Sequence, residues 1–220
     1  MKWVLTSYFL LTNLVIAFAQ PLAKQSEAGA YAVPFASESN RIELEVANSS
    51  DQTLGDVSVE LRTSLVWLSF EATSALIGGL ESGETRVVTF TFDQDEKAPV
   101  GETAALEFDV RSSTGLAEAR TIRIEPEAPT ELTLRGNYPN PFNPSTKIAY
   151  ALPSEANVEI EVYNSIGQRV TRLMDNPQTA GYQEATWNAS SFPSGVYFYS
   201  ISMKTEAERS VKFGKMLLVK

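Results

Sequence analysis

Polar and apolar residues alternate in short runs along most of this chain, and clusters of turn residues separate the runs. Arg41-Ile42-Glu43-Leu44-Glu45-Val46 repeats with a period of two, the period of a strand with one buried face. Val57 to Leu61 repeats it, and Arg86-Val87-Val88-Thr89-Phe90-Thr91-Phe92 adds the β-branched and aromatic residues that suit a pleated surface. Ala104 to Val110 and Ala119 to Ile124 flank Ser112-Ser113-Thr114-Gly115 and predict a hairpin. Leu65-Val66-Trp67-Leu68 is denser and predicts a core strand or a crossover, and Gly78-Gly79-Leu80-Glu81-Ser82-Gly83 predicts a loop. Pro21 to Ser37 is weakly patterned and leads into a first strand near Tyr31–Val33. Short strands, frequent turns and no helical period predict an antiparallel β-sandwich.

Glu125-Pro126-Glu127-Ala128-Pro129-Thr130 breaks the pattern. Two prolines and two acids make a short, semi-stiff linker. The alternation then resumes in Lys147–Leu152, Val158–Tyr163, Gln168–Leu173, Tyr182–Trp187, Val196–Ser202 and Arg209–Val219, with turns at Asn164–Gly167 and Ser190–Gly195. These strands predict a second small sandwich. Its lead-in, Asn137-Tyr138-Pro139-Asn140-Pro141-Phe142-Asn143-Pro144-Ser145-Thr146, carries three prolines. Proline fixes φ, lacks a donor and pushes the preceding residue out of the helical region, so this stretch is neither helix nor central strand. Tyr138 and Phe142 supply two rings to pin it to the strands of the second sandwich.

The N-terminus adds a compartment. Lys2 is the sole charge among the first twenty residues, and an apolar run from Trp3 to Phe18 follows. Ala17 and Ala19 then place small residues before Gln20, the pattern of a secretory signal peptide cut after residue 19. The rival reading, a retained membrane anchor, needs about 20 apolar residues, and the small-residue site favours cleavage.

Composition narrows the chemistry. A formal net charge of -9 argues against nucleic acid as a partner, since a phosphate backbone needs a basic footprint. The chain has no Cys and no His. That removes thiol nucleophiles, Cys/His zinc sites and histidine-based triads together. The remaining candidates have plainer readings. Glu43/Glu45 and Glu159/Glu161 each share a strand face, as a glycosidase pair must, but alternate with apolar residues and so read as a solvated face. Asp93-Gln94-Asp95-Glu96 offers oxygens for calcium, although such a loop is usually only solvated. Trp67, Trp187, Tyr197 and Tyr199 offer a sugar-stacking platform, but aromatic residues on sandwich strands usually fill the core. Asn48-Ser49-Ser50 and Asn188-Ala189-Ser190 match a glycosylation sequon, a three-residue pattern that chance readily supplies. Lys212, Lys215 and Lys220 surround the final apolar strand, either as guards of an edge or as part of a recognised tail. No catalytic residue, metal ligand or cofactor site emerges, and the chain reads as a non-enzyme.

From Asn137 to Lys220 the chain resembles the type A C-terminal sorting domain of the type IX secretion system of the Bacteroidota and their relatives. The resemblance rests on five pieces in order. They are the Asn-Pro lead-in, Val162-Tyr163-Asn164 with Ile166-Gly167-Gln168-Arg169-Val170, Gly181 leading to Trp187-Asn188-Ala189, Pro193-Ser194-Gly195-Val196-Tyr197-Phe198-Tyr199, and the terminal Lys215-Met216-Leu217-Leu218-Val219-Lys220. Arg209-Ser210-Val211-Lys212-Phe213-Gly214 is somewhat unusual for the pattern. The resemblance implies an immunoglobulin-like sandwich related to a domain of the flagellar hook-capping protein. It also implies passage through the periplasm to an outer-membrane translocon, removal of the domain by a sortase-like peptidase, and release or attachment to a surface lipopolysaccharide. Pro139, Asn140, Pro141, Gly195, Tyr197, Lys215, Met216 and Val219 are the positions expected to shape or present the signal. The first sandwich resembles, more loosely, bacterial immunoglobulin-like modules. The expected organisation is a signal peptide at 1–19, a leader at 20–37, an Ig-like cargo sandwich at 38–125, a linker at 126–131 and the sorting domain at 132–220. The cargo's ligand stays open. A carbohydrate-binding or adhesive surface module and a periplasmic assembly scaffold are the alternative functions.

Overall fold

A computed structural model describes residues 29–220, together with two short strands ahead of them, Val4–Leu5 (β1) and Leu14–Ala17 (β2). Ala17 of the expected cleavage site ends β2, while Ala19 and Gln20 lie outside the described residues. All described elements are strands, and the chain divides into two compact units, Met1–Glu127 and Ala128–Lys220.

The first unit is a sandwich of two sheets. Its strands are Tyr31–Val33 (β3), Asn40–Asn48 (β4), Leu54–Leu61 (β5), Leu68–Phe70 (β6), Ser74–Leu80 (β7), Thr85–Gln94 (β8), Ala104–Arg111 (β9) and Ala117–Pro126 (β10). One sheet runs β1-β4-β8-β6, with β2 also on β4; the other runs β3-β10-β9-β5-β7. Most pairings are antiparallel, but β3 lies parallel to β10 and β1 parallel to β4. The period of two in β4 becomes strict alternation of buried and half-buried positions. Ile42, Leu44 and Val46 from one sheet meet Val57, Leu106, Phe108 and Ile124 from the other in one core. Phe90 lies 5.2 Å from Phe108 across it, within the range of a favourable tilted aromatic pair.

Three readings of this unit are narrowed or changed. Of the two readings of Leu65–Leu68 the crossover holds and the core strand does not: the segment passes from β5 in one sheet to β6 in the other, Val66 is fully exposed in a turn, and only Leu68 begins the short β6. A run of four apolar residues also fits a loop that drops one anchor, here Trp67, into the core. Gly78, Gly79 and Leu80 belong to β7, an edge strand paired with β5 through an irregular register. An edge strand tolerates glycine because only one side must pair. The expected linker is partly strand, because Pro126 ends β10 beside Val33.

The second unit packs a sheet of β11 (Thr133–Tyr138), β12 (Ser145–Leu152) and β15 (Gly181–Asn188) on one of β14 (Arg169–Gln178), β13 (Ala156–Tyr163), β16 (Gly195–Lys204) and β17 (Arg209–Leu218), each in that spatial order. The strand β11 lacks clean alternation because a bulge between Leu134 and Gly136 interrupts its register. It sits at the edge of its sheet, so the proline-rich lead-in at its end displaces no central strand. Val158, Ile160 and Val162 face Ile148, Tyr150 and Trp187 in the shared core.

Candidate functional site

The two ends of the second unit meet along the free edge of β17. The lead-in reaches that edge after β11 ends at Tyr138, and its prolines keep it from pairing as a regular strand. Its three X–Pro peptide bonds, before Pro139, Pro141 and Pro144, are cis. Thr146, buried, donates to the Pro139 carbonyl at 2.8 Å, and the Asn137 amide nitrogen donates to the same oxygen at 3.2 Å. That knot aims Asn140 at β17.

The Asn140 side chain then acts as a substitute peptide. Its Nδ2 donates to the Lys215 carbonyl at 3.3 Å, and its Oδ1 accepts from the Leu217 N–H at 3.0 Å. Two residues on, the Phe142 N–H donates to the Leu217 carbonyl at 2.9 Å, and the Val219 N–H donates to the Phe142 carbonyl at 2.9 Å. Lys220 closes the end, its Nζ donating to the Ser190 carbonyl at 2.7 Å. The last residues of the chain are thus bonded on their outer edge by the first turn of the domain. An edge left open would offer these groups to any passing strand.

Beneath this edge lies an aromatic cluster. Phe142 is buried 5.4 Å from Trp187, and Trp187 stands 5.1 Å from Tyr197 and 5.5 Å from Phe192. Tyr197 keeps its hydroxyl satisfied by donating to the Pro193 carbonyl at 2.8 Å, and burial raises its pKa. Burial of a ring such as Phe142 contributes roughly 1.5–3 kcal/mol, which anchors the lead-in to the core. Tyr138 has no such role; it is 83% exposed.

The outward face of β16 and β17 differs from an ordinary solvated sheet. Val196 stands opposite Leu217, Phe198 opposite Lys215, Ser200 opposite Phe213, and Ser202 opposite Val211. Val196, Phe198, Val211, Phe213 and Leu217 are all exposed, Phe213 at 72%. An antiparallel sheet usually turns polar residues to water on this side, and a contiguous apolar patch on it marks an interaction surface. Lys215 is the cation within the patch. Toward β13 and β14 the same face becomes charged. Glu161 accepts from the Tyr163 hydroxyl at 2.7 Å and pairs with Arg169, and these two bonds hold its carboxyl below the usual range. Arg172 joins Glu159 at 2.6 Å to Asp175 at 3.0 Å. The Glu159/Glu161 pair is therefore tied up by arginines, and Asp175, the carboxylate opposite Glu159 on β14, shares Arg172 with it.

The residues expected to carry the signal fall into two groups. Pro139, Asn140, Pro141, Lys215 and Val219 are exposed along the β17 edge and its outer face. Tyr197 and Met216 pair across the strands but point inward, each almost fully buried, so they shape the surface and do not present it. Gly195 opens β16 opposite Leu218. The exposed apolar residues of β16 and β17 escaped the motif-based selection. The signal for them was present: Val196-Tyr197-Phe198-Tyr199 is apolar on both faces, where the neighbouring strands alternate.

Other candidates do not assemble. Asp93, near the end of β8, accepts from the Ser39 N–H at 2.7 Å and Asp95 from the Lys97 N–H at 2.8 Å, so each of these carboxylates already holds a backbone N–H. Among the described residues no three acidic side chains gather to hold a metal ion. Trp67, Trp187, Tyr197 and Tyr199 are buried and form no stacking platform.

Residues 137–213 match the family of secretion system C-terminal sorting domains. The match stops within β17, which continues without a break to Leu218. A domain of this family implies export by the type IX secretion system, recognition by its machinery and passage across the outer membrane. No curated protein sequence matches the chain. Among solved structures, the CupB2 chaperone of Pseudomonas aeruginosa is similar with TM-score 0.30 and 10% identity over 84% of this chain and 96% of its own. Dimeric latent PorU from Porphyromonas gingivalis gives 0.35 and 13%, with 84% of this chain covering 19% of that protein. Domain CBD12 from CALX1.2 gives 0.35 and 9%, with coverage of 84% and 81%. These three are distant and bear on neither site nor function.

Proposed function

We propose that the secretion system C-terminal sorting domain at residues 137–213 is the address of an exported, non-catalytic protein whose cargo is the first sandwich. In this reading the signal peptide takes the chain to the periplasm and is removed after Ala19. The folded C-terminal unit is then read at the outer-membrane translocon, and the first sandwich reaches the surface or the medium. A sortase-like peptidase then removes the C-terminal unit, leaving the cargo shed or joined to a surface lipopolysaccharide. The observation that carries the reading is the outward face of β16 and β17. It is apolar where a solvated sheet would be polar, it carries Lys215, and Val196, Phe198, Val211 and Phe213 of it lie within the stretch that matches the family. Such a face suits a partner groove that is apolar with an acidic rim, since opposite charge steers encounter and apolar contact holds it.

The test is mass spectrometry on fractionated cells of the native host. Deleting Lys215 to Lys220 would remove Met216 and Leu218 from the core, so loss of export after deletion would confuse misfolding with misrecognition. Phe213→Asp and Lys215→Glu change exposed positions and leave the core alone. The expected result is first-unit peptides outside the cell in wild type, and retained in the periplasm, folded, in both variants. Export of both variants at wild-type levels would remove this face from the recognition surface.

A further inference from the structure

The strand β4 has an edge whose occupants are borrowed from the signal peptide. In the structure β2 pairs antiparallel with it, Leu14 opposite Asn48 to Ala17 opposite Glu45, and β1 pairs parallel at Arg41 and Ile42. Both β1 and β2 lie within residues 1–19. No other described strand lies on that side of β4. Asn48 turns both its N–H and its C=O to the β8 side, where they meet Gly83 and Glu84. By the alternation of an antiparallel ladder, Asn40, Ile42, Leu44 and Val46 do likewise, so Arg41, Glu43, Glu45 and Ala47 aim their backbone groups at the opposite edge. Removal of residues 1–19 leaves those groups unpaired on a strand whose alternate side chains fill the core. Such an edge is a template for another strand.

We infer that the mature chain pairs with a second copy of itself through this edge, as an antiparallel β4–β4 ladder centred on Ile42. The inference rests on the proposed removal of residues 1–19. The register follows from side-chain direction and charge. Ile42, Leu44 and Val46 must stay on the core side, so a slip of one residue is excluded. Centring on Leu44 sets Glu43 against the partner's Glu45 twice, and centring on Glu43 sets that residue against its own copy. Centring on Ile42 sets Arg41 against the partner's Glu43, and Glu43 against the partner's Arg41, with no acids directly opposed. Opposite charges placed so stabilise a cross-strand pair, and like charges destabilise it. Across the sheet, on β8, these side chains stand opposite uncharged residues, Thr91 beside Arg41 and Thr89 beside Glu43. The ladder stops at Asn40, because Ser39 turns away with φ of 55°. It is therefore short, and the dimer belongs to the weak class of small interfaces, with a Kd on the order of micromolar. Two exposed ion pairs make it sensitive to salt.

The experiment is sedimentation velocity on the full chain produced with its own signal peptide and recovered from the periplasm, with intact mass recorded on the same sample. The expected result is a mass beginning at Gln20 and a monomer–dimer equilibrium across roughly 1–100 micromolar, weakened by added salt. Arg41→Glu alone and Glu43→Arg alone should each shift the equilibrium to monomer. The double exchange, Arg41→Glu with Glu43→Arg, should restore the dimer, which no general loss of folding would do. A processed chain that stays monomeric throughout overturns the inference and leaves the signal-peptide reading standing. A chain that keeps residues 1–19 overturns both, since the edge then stays covered.

Discussion

Replacing Gly214 by alanine puts a methyl group where the Tyr199 ring lies. The two residues are opposite each other on β17 and β16, both toward the core. A Cβ at Gly214 would stand 2.2 Å from Tyr199 Cζ, 2.3 Å from its Oη and 2.6 Å from Cε1. Real carbon contacts do not approach so closely, and Tyr199 is only 1% exposed, so the ring has no free direction to retreat. Burial pushes its hydroxyl pKa up to about 12, in keeping with a ring held out of water. Overpacking of this kind costs about 1–3 kcal/mol. Against it stands the entropy that alanine removes from the unfolded chain, roughly 0.4–1 kcal/mol. The net expectation is a loss of about 1–2 kcal/mol. For a unit of this size that lowers Tm by roughly 5–15 °C. Urea unfolding followed by hydrogen-exchange mass spectrometry reads each unit through its own peptides, and the loss should fall in residues 128–220 alone. In a Tyr199→Leu background the methyl group has room, so the same substitution should become neutral or slightly stabilising, a coupling of about 1–2 kcal/mol in the double-mutant cycle. A Gly214→Ala chain as stable as wild type, or an equal cost in both backgrounds, would refute the reasoning.

Asn140→Ala removes both bonds that the side chain makes to β17, and should cost about 0.5–1.5 kcal/mol while speeding amide exchange at Leu217, whose N–H loses its acceptor. Glu161→Gln should lower stability at neutral pH by no more than about 1 kcal/mol, since its partners are largely at the surface. The carboxyl is held below its ordinary pKa, so its contribution is present above the unfolded value and lost as pH falls through the folded one; the two chains should converge in stability as the pH drops below the ordinary carboxylate range in a pH series of urea midpoints. Phe142→Ala should cost about 3–5 kcal/mol and release residues 215–220 to exchange, because the ring anchors the lead-in that bonds them.

Much of the architecture was legible because one face of each strand is buried and the other wet. Val158–Tyr163 and Arg41–Val46 announce themselves by period, and both form strands. Where that contrast fails, the reading fails. Ser74–Leu80 is an edge strand rich in glycine, and Thr133–Tyr138 carries a bulge, so neither shows a clean alternation. Val66 looks like core by composition, yet one turn turns it wholly to water. The candidate surface was legible only in part. Motif order pointed to Asn140 and Lys215, but the place of Asn140 in the fold is set by a pair of bonds to a strand about 75 residues away, which no local pattern encodes. The unusual stretch Arg209–Gly214 is the first part of β17, and its glycine has a physical cause, since Gly214 makes room for the Tyr199 ring.

The most direct test of the address is a transplant. Residues 128–220 are joined behind an unrelated reporter that carries a signal peptide, and the fusion is made in a type IX-competent host and in the same host lacking the translocon. The account predicts reporter at the surface or in the medium of the first strain, and reporter confined to the periplasm of the second. Reporter held in the periplasm of both strains, with residues 128–220 folded, would contradict it.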